Sequence, residues 1–174
     1  MNADKLTEAA DLIDQVAGLD PAGAVFAARR ARANVSRATQ SACDLFFAAG
    51  SGDLPVAERL AVAYYASSLS RSDSLARHYG AELRRRGVED RIMDALDSKS
   101  LAQLADSRLK ALLVFTQALI ERPAEGSEAA LGALRAAGVA TPDIIALAQL
   151  VAFLSYQVRL AAGLRAMKLQ EQRS

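Results

Sequence analysis

Hydrophobic and polar residues recur along this chain with the period of an α-helix, and no stretch alternates with the period of two that marks a β-strand. Ala, Leu, Arg and Glu, which favour helices, are abundant, and runs of β-branched residues are short. The pattern predicts an all-α bundle of about seven to nine helices. Its clearest apolar stripe, at i, i+3 and i+4 spacing, consists of Leu109, Leu112, Leu113, Leu119 and Ile120.

Capping residues and helix breakers predict where these helices begin and end. Asp53 is expected to cap the helix that opens at Pro55, and Asp106 or Ser107 the helix that carries the apolar stripe. Gly87 and Gly138 are expected to end helices in the left-handed conformation. The predicted helices cover residues 3–16, 22–49 (with a weak point near Asn34), 55–69, 72–86, 89–104 (as one or two), 107–122, 127–137 and 141–167, and residues 168–174 are expected to fray.

Length and charge favour one soluble domain over residues 1–174, with active-site-type helices in 1–88 and a second helical half in 89–174 that shares the same core. The 21 basic and 20 acidic residues leave a net charge of +1, which gives no electrostatic reason to expect a nucleic-acid or membrane partner.

Four polar residues interrupt the apolar segment 144–164, so we expect a buried helix there rather than a membrane span. The N-terminus lacks the apolar region of a signal peptide, and we expect a cytoplasmic protein.

The few chemically reactive side chains limit the possible sites. Cys43 is the only cysteine, so no intramolecular disulfide or CxxC redox motif can form, and core packing is the simplest role for it. His78 is the only histidine, which excludes a multi-histidine metal site. No Gly-rich phosphate loop or dinucleotide fingerprint occurs, so neither a metal nor a cofactor is expected.

One segment, residues 58–79, reads ERLAVAYYASSLSRSDSLARHY. It resembles the catalytic helix pair of the carboxymuconolactone decarboxylase/AhpD-like alkylhydroperoxidase superfamily, whose redox members carry Cys-x-x-Cys followed by His. An ungapped overlay places Ser72 and Leu75 at the cysteine positions, Tyr79 at the distal histidine and Leu60 at the helper glutamate. A one-residue shift that aligns His78 with the histidine places Arg71 and Ser74 at the cysteines instead.

The second half of the chain extends this resemblance. Residues 107–116 (SRLKALLVFT), the turn at 134–139 (LRAAGV) and the long helix from 141 to 159 are similar to the family in order and spacing. The resemblance implies an all-helical, AhpD-like protein that forms a homo-oligomer, as a dimer, trimer or hexamer. It also implies a branch without the CxxC pair, because neither register supplies the two thiols that peroxide reduction requires.

Four side chains in this segment are candidate site residues: Glu58, Arg71, His78 and Tyr79. A carboxylate, a guanidinium, an imidazole and a phenol in one cleft can move protons and bind an anion. The alternative is a structural network in which Glu58 pairs with Arg71 or Arg77 to tie two helices together.

Arg159 lies among apolar neighbours on the last predicted helix, so it is expected to need an acidic partner or an interface. Asp11, Asp14 and Glu58 are the candidate partners, and the sequence does not choose among them.

Three functions remain open. The first is a diverged, non-redox family member that binds a small organic acid or peroxide-like ligand without turnover, or serves as a structural subunit. The second is an acid–base enzyme of the lactone decarboxylase type, with His78 or Tyr79 as acid or base and Arg71 or Arg77 holding a carboxylate. The third is a one-cysteine hydroperoxidase that uses Cys43. A reachable cavity where Glu58 and His78 converge would favour the enzyme, and a filled junction would favour the diverged protein.

Overall fold

A computed structural model of the chain describes residues 11–50, 54–123 and 128–173. Within these ranges the protein is all-helical and has no strand, which confirms the predicted fold class. The α-helices are α1 (Leu12–Ala17), α2 (Ala24–Arg30), α3 (Ala33–Phe47), α4 (Val56–Leu69), α5 (Asp73–Arg85), α6 (Asp90–Asp97), α7 (Ser107–Glu121), α8 (Glu128–Ala136) and α9 (Thr141–Glu171), with a short 3-10 helix at Leu101–Gln103.

Most helix ends lie close to their predicted positions because local chemistry sets them. The Asp106 carboxylate accepts hydrogen bonds from the backbone N–H groups of Arg108 and Leu109, which confirms it as the cap of α7. Gly87 and Gly138 have φ of 71° and 75°, so both stop their helices in the left-handed conformation. The cap predicted at Asp53 and the start of the helix predicted at Ala3 lie outside the described residues.

The end of α9 differs from its prediction. Residues 168–174 were expected to fray, but α9 continues to Glu171. The Lys168 Nζ donates to the carbonyl oxygen of Gly18 at 2.5 Å. The Glu171 Oε1 accepts from the backbone N–H of Ala24, the first residue of α2, at 2.7 Å. These tertiary hydrogen bonds hold a polar helix end that the local sequence alone would leave to solvent.

The chain divides into two compact units. The first comprises Met1–Cys43 and Leu160–Ser174, and the second comprises Asp44–Arg159. Helices α5 and α6, which flank residue 88, both belong to the second unit, so the predicted halves 1–88 and 89–174 do not coincide with these units.

An apolar core and a buried charge network hold the first unit together. Ile13, Ala17, Val25 and Leu164 form the core. Ion pairs form between two acids, Asp11 and Asp14, and two arginines of α2, Arg29 and Arg30. All four side chains are largely buried. The guanidinium of Arg30 also lies 5.1 Å from the ring centre of Phe26, within the range of a cation–π contact.

Helix α4 is the central element of the second unit, where it packs against α5, α6 and α7. Its sequence is apolar on nearly every side, as expected for a helix enclosed by others. Three residues, Ser70 to Ser72, join α4 to α5, and Arg71 among them has φ of 54°. A Cβ atom at Gly80 of α5 would lie 2.9 Å from the ring of Tyr64, so glycine allows α4 and α5 to approach closely there.

Gly80→Ala is therefore expected to lower the free energy of unfolding by about 1–3 kcal/mol, because the added methyl group overlaps the Tyr64 ring. Gly132→Ala in α8 is the matched control, since nothing lies within 4 Å of its Cβ position. There alanine should stabilise the helix by about 0.5–1 kcal/mol. Urea unfolding followed by circular dichroism measures both, and equal effects of the same sign would contradict the close approach.

Helix α9 has a mixed environment. By length and composition it could cross a membrane, and 39% of its most apolar 18-residue window is buried. Gln157 lies wholly inside the protein, whereas Ile145 and Tyr156 are exposed. Arg159 is exposed as well and its Nη1 donates to the Ser155 carbonyl oxygen at 3.1 Å. Within the described residues its side chain pairs with no acid, so the acidic partner was wrong, and the alternative of an interface stays a prediction.

Candidate functional site

Glu58, the first of the four predicted site residues, lies in the first turn of α4 and is bound by an arginine from α7. The Arg108 Nε donates to Oε1 and Oε2 of Glu58 at 3.0 and 3.3 Å. Burial raises the pKa of Glu58, and so do the charges of Asp106 and Asp143, although the hydrogen bond and charge of Arg108 act in the opposite direction. Glu58 thus ties two helices together as the structural alternative supposed, but its partner is Arg108 rather than Arg71 or Arg77.

The contacts of Arg71 and His78 do not involve the Glu58–Arg108 ion pair. Arg71 is exposed in the turn between α4 and α5. His78 is half-buried on α5, where its ring stands edge-on to that of Tyr79 with 5.0 Å between the centres. Burial lowers the pKa of His78; the Glu82 charge raises it and the Arg85 charge lowers it further. The balance favours the neutral imidazole.

Tyr79, the fourth predicted residue, is buried and has a structural hydrogen bond. Its hydroxyl donates to Oε1 of Gln157 on α9 at 2.6 Å, and its ring lies 5.1 Å from that of Phe47. A buried phenol is normally held by such a partner. Tyr79 therefore connects α5 with the end of α3 and with α9.

Large side chains fill the junction of α4 and α5. Leu60, Tyr65, Leu75 and Tyr79 are all nearly or completely inaccessible to solvent, and Ser72 is buried at the start of α5. Leu60, Ser72, Leu75 and Tyr79 are the positions that the overlay assigned to the helper glutamate, the two cysteines and the histidine. All four side chains are thus packed inside the protein.

The chain has a single thiol and, among the described residues, no cluster of side chains that could hold a metal ion. Cys43 is buried on α3. Across residues 11–50, 54–123 and 128–173, no group of three or more His, Cys, Asp or Glu side chains is arranged to hold a metal ion.

A groove of about 270 Å³ opens elsewhere in the second unit. It is mostly apolar but contains two buried charged side chains, Arg59 and Asp143. The rings of Phe46 and Phe153, 5.1 Å apart, support one wall. The residues that line the groove are Leu45, Phe46, Leu54, Arg59, Asp143, Ala146 and Gln149.

Arg59 fixes the end of α3 beside the groove. Its Nη1 donates to the carbonyl oxygen of Phe46 at 2.6 Å and its Nη2 to that of Ala48 at 3.2 Å. These carbonyls belong to the last turn of α3 and the residues after it, where helices leave acceptors unsatisfied. Burial lowers the pKa of Arg59, and the charge of Arg86 lowers it further. The terminal nitrogens of this arginine are thus engaged by the backbone.

Asp143 brings a carboxylate to the same groove from the first turn of α9. Its closest charged neighbour is Arg108, whose Nη2 lies 3.8 Å from Oδ2. Arg108 thereby connects Glu58 with Asp143, and its Nη1 also donates to the Gly138 carbonyl oxygen at 3.1 Å. Asp143 therefore lies between the Glu58–Arg108 pair and the groove that it lines.

The sequence interpretation missed the groove, although it contained a usable signal. Arg59 is surrounded by apolar residues along α4, and the argument applied to Arg159 applies to it equally. No comparable signal marked Asp143, whose position three residues after Ala140 indicated only a helix start.

Comparison with known proteins adds no relative: no family model matches the chain, and no curated protein matches it.

Proposed function

We propose that this chain is a diverged, AhpD-like protein that lacks redox chemistry and binds a small organic molecule without turning it over. The groove lined by Arg59 and Asp143 is the observation that carries the proposal. Concave, mostly apolar surfaces with a few polar groups are the usual form of small-molecule sites. The filled junction of α4 and α5 supports a binding role over the acid–base enzyme, because Glu58 and Tyr79 are held by Arg108 and Gln157.

The test is a thermal-shift screen of small organic acids, amines and neutral compounds, with calorimetry on every compound that stabilises the protein. Ala146→Phe is expected to abolish binding, because Ala146 lines the groove and a phenyl ring would fill it. Ala152→Phe is the matched control, an exposed alanine of the same helix outside the groove lining. Hits that bind Ala146→Phe as well as the wild type would overturn this site, and a screen without hits would overturn the binding function.

A homo-oligomer and a cytoplasmic location complete the proposal. Exposed apolar side chains of the second unit, Leu45, Val114, Ile145 and Tyr156, support self-association, since burying them removes apolar surface from water. Sedimentation velocity measures the size of the assembly, and a monomer at high concentration would contradict it.

A further inference from the structure

Asp143 is a buried carboxylate that lacks a hydrogen-bond donor within the described part of the chain. Only 6% of the residue is exposed, and among the described residues the cation within 4 Å of its carboxylate is Arg108 at 3.8 Å, which is beyond hydrogen-bond distance. Arg108 directs its Nε to Glu58 and its Nη1 to Gly138 instead. A buried polar group without a hydrogen bond is costly. The carboxylate therefore offers a strong acceptor to whatever enters the groove.

Two nitrogens of Arg59 and two of Arg108 donate to protein oxygens. Both terminal nitrogens of Arg59 donate to backbone carbonyl oxygens, and Arg108 donates to the Glu58 carboxylate and to a carbonyl oxygen. Because Arg108 gives its hydrogen bonds to Glu58 and Gly138, the Asp143 carboxylate is available to accept a hydrogen bond from a cationic ligand group. A carboxylate ligand beside Asp143 would be repelled by the like charge.

Apolar side chains form the remainder of the groove. Leu45, Phe46, Leu54 and Ala146 would contact the body of a ligand, and Gln149 adds an amide at the rim. An apolar cavity of about 150 Å³ is sufficient for benzene, and pockets for drug-sized ligands are roughly 300–1,000 Å³. At about 270 Å³ the groove suits one ring or a short alkyl chain.

We propose that the groove binds a small primary amine with an apolar body, whose ammonium group donates to the carboxylate of Asp143. This inference rests on the proposed binding function and specifies its ligand class. It departs from the organic acid that the sequence led us to expect, because the buried carboxylate of Asp143 in the groove is an acceptor. The occupant is a free small molecule, since the groove has the size of one.

Isothermal titration with three probes of matched length tests the ligand class: n-hexylamine, hexanoate and hexanol. We expect n-hexylamine to bind most tightly. Asp143→Asn should weaken its binding about tenfold or more, as expected for loss of a hydrogen bond between charged groups. Asp90→Asn is the matched control, an exposed first-turn aspartate of α6, and should leave binding unchanged.

The outcomes separate this inference from the binding function. Hexanoate or hexanol binding as tightly as n-hexylamine, with loss in Ala146→Phe, would overturn the amine and keep the groove as a binding site. Unchanged hexylamine affinity in Asp143→Asn would also overturn the inference. Failure of all three probes to bind would overturn it outright, and the wider compound screen would then decide whether the groove binds anything. Should Asp143→Asn unfold, the ranking of the three probes on the wild type, with the Ala146→Phe and Ala152→Phe pair, gives the same decision.

Discussion

Asp14→Ala is expected to lower the free energy of unfolding of the first unit by about 3–5 kcal/mol, the cost of breaking a buried ion pair from one side. The Asp14 side chain is 1% exposed. It accepts a hydrogen bond from Arg29 at 2.7 Å and another from Arg30. Among the described residues, removal of this carboxylate leaves Asp11 as the acid paired with the two largely buried guanidinium groups.

Hydrogen exchange of amides in residues 12–30, with urea unfolding of the whole protein, measures this loss. The control is Glu89→Ala, which removes the acid of the exposed Glu89–Arg91 pair. Exposed ion pairs contribute at most about 1 kcal/mol, so the control should differ little from the wild type. A similar small effect for Asp14→Ala would mean that the network contributes no more than a surface pair.

Leu75→Ala is expected to destabilise the protein by about 2–5 kcal/mol, because Leu75 is completely buried where α4 packs on α5. The size of this loss in stability also tests whether the junction of α4 and α5 is filled or open. In a filled junction the truncation leaves a cavity, whereas in an open substrate cleft the same side chain would already contact water and its loss would cost little.

Chemical denaturation compares this variant with Leu169→Ala, a truncation of an exposed leucine on α9 that should change stability by less than about 0.5 kcal/mol. If both variants are equally stable, the junction is open and the acid–base enzyme becomes the better proposal. A large loss for Leu75 alone supports the non-redox binding protein.

The parts of the fold that could be predicted from the sequence depend on neighbours along the chain. Asp106 caps α7 and Gly87 ends its helix because each effect operates within a few residues. The break between α2 and α3 falls at residues 31–32, close to the predicted weak point at Asn34. Helical periodicity predicted the apolar stripe of α7 in part: Leu109, Leu112 and Leu113 are buried, whereas Leu119 and Ile120 are only half-buried.

The site depended on distant pairs, which a single sequence does not specify. Glu58 lies 50 residues from Arg108 and Tyr79 lies 78 residues from Gln157. From the sequence alone, any arginine on a neighbouring helix could equally well have been the partner of Glu58. The groove needs α3, α4 and α9 together, so neither Arg59 nor Asp143 could be recognised as part of a shared surface until the helices were packed.

The discontinuity of the first unit sets an order of events during translation. The second unit is one uninterrupted stretch and can fold as it leaves the ribosome, whereas residues 1–43 require 160–174 to complete theirs. At about 5–20 residues per second, the intervening residues 44–159 take roughly 6–23 s to synthesise. During that interval Leu164 has not yet been synthesised, so the apolar core formed by Ile13 and Val25 with it is incomplete in the nascent chain.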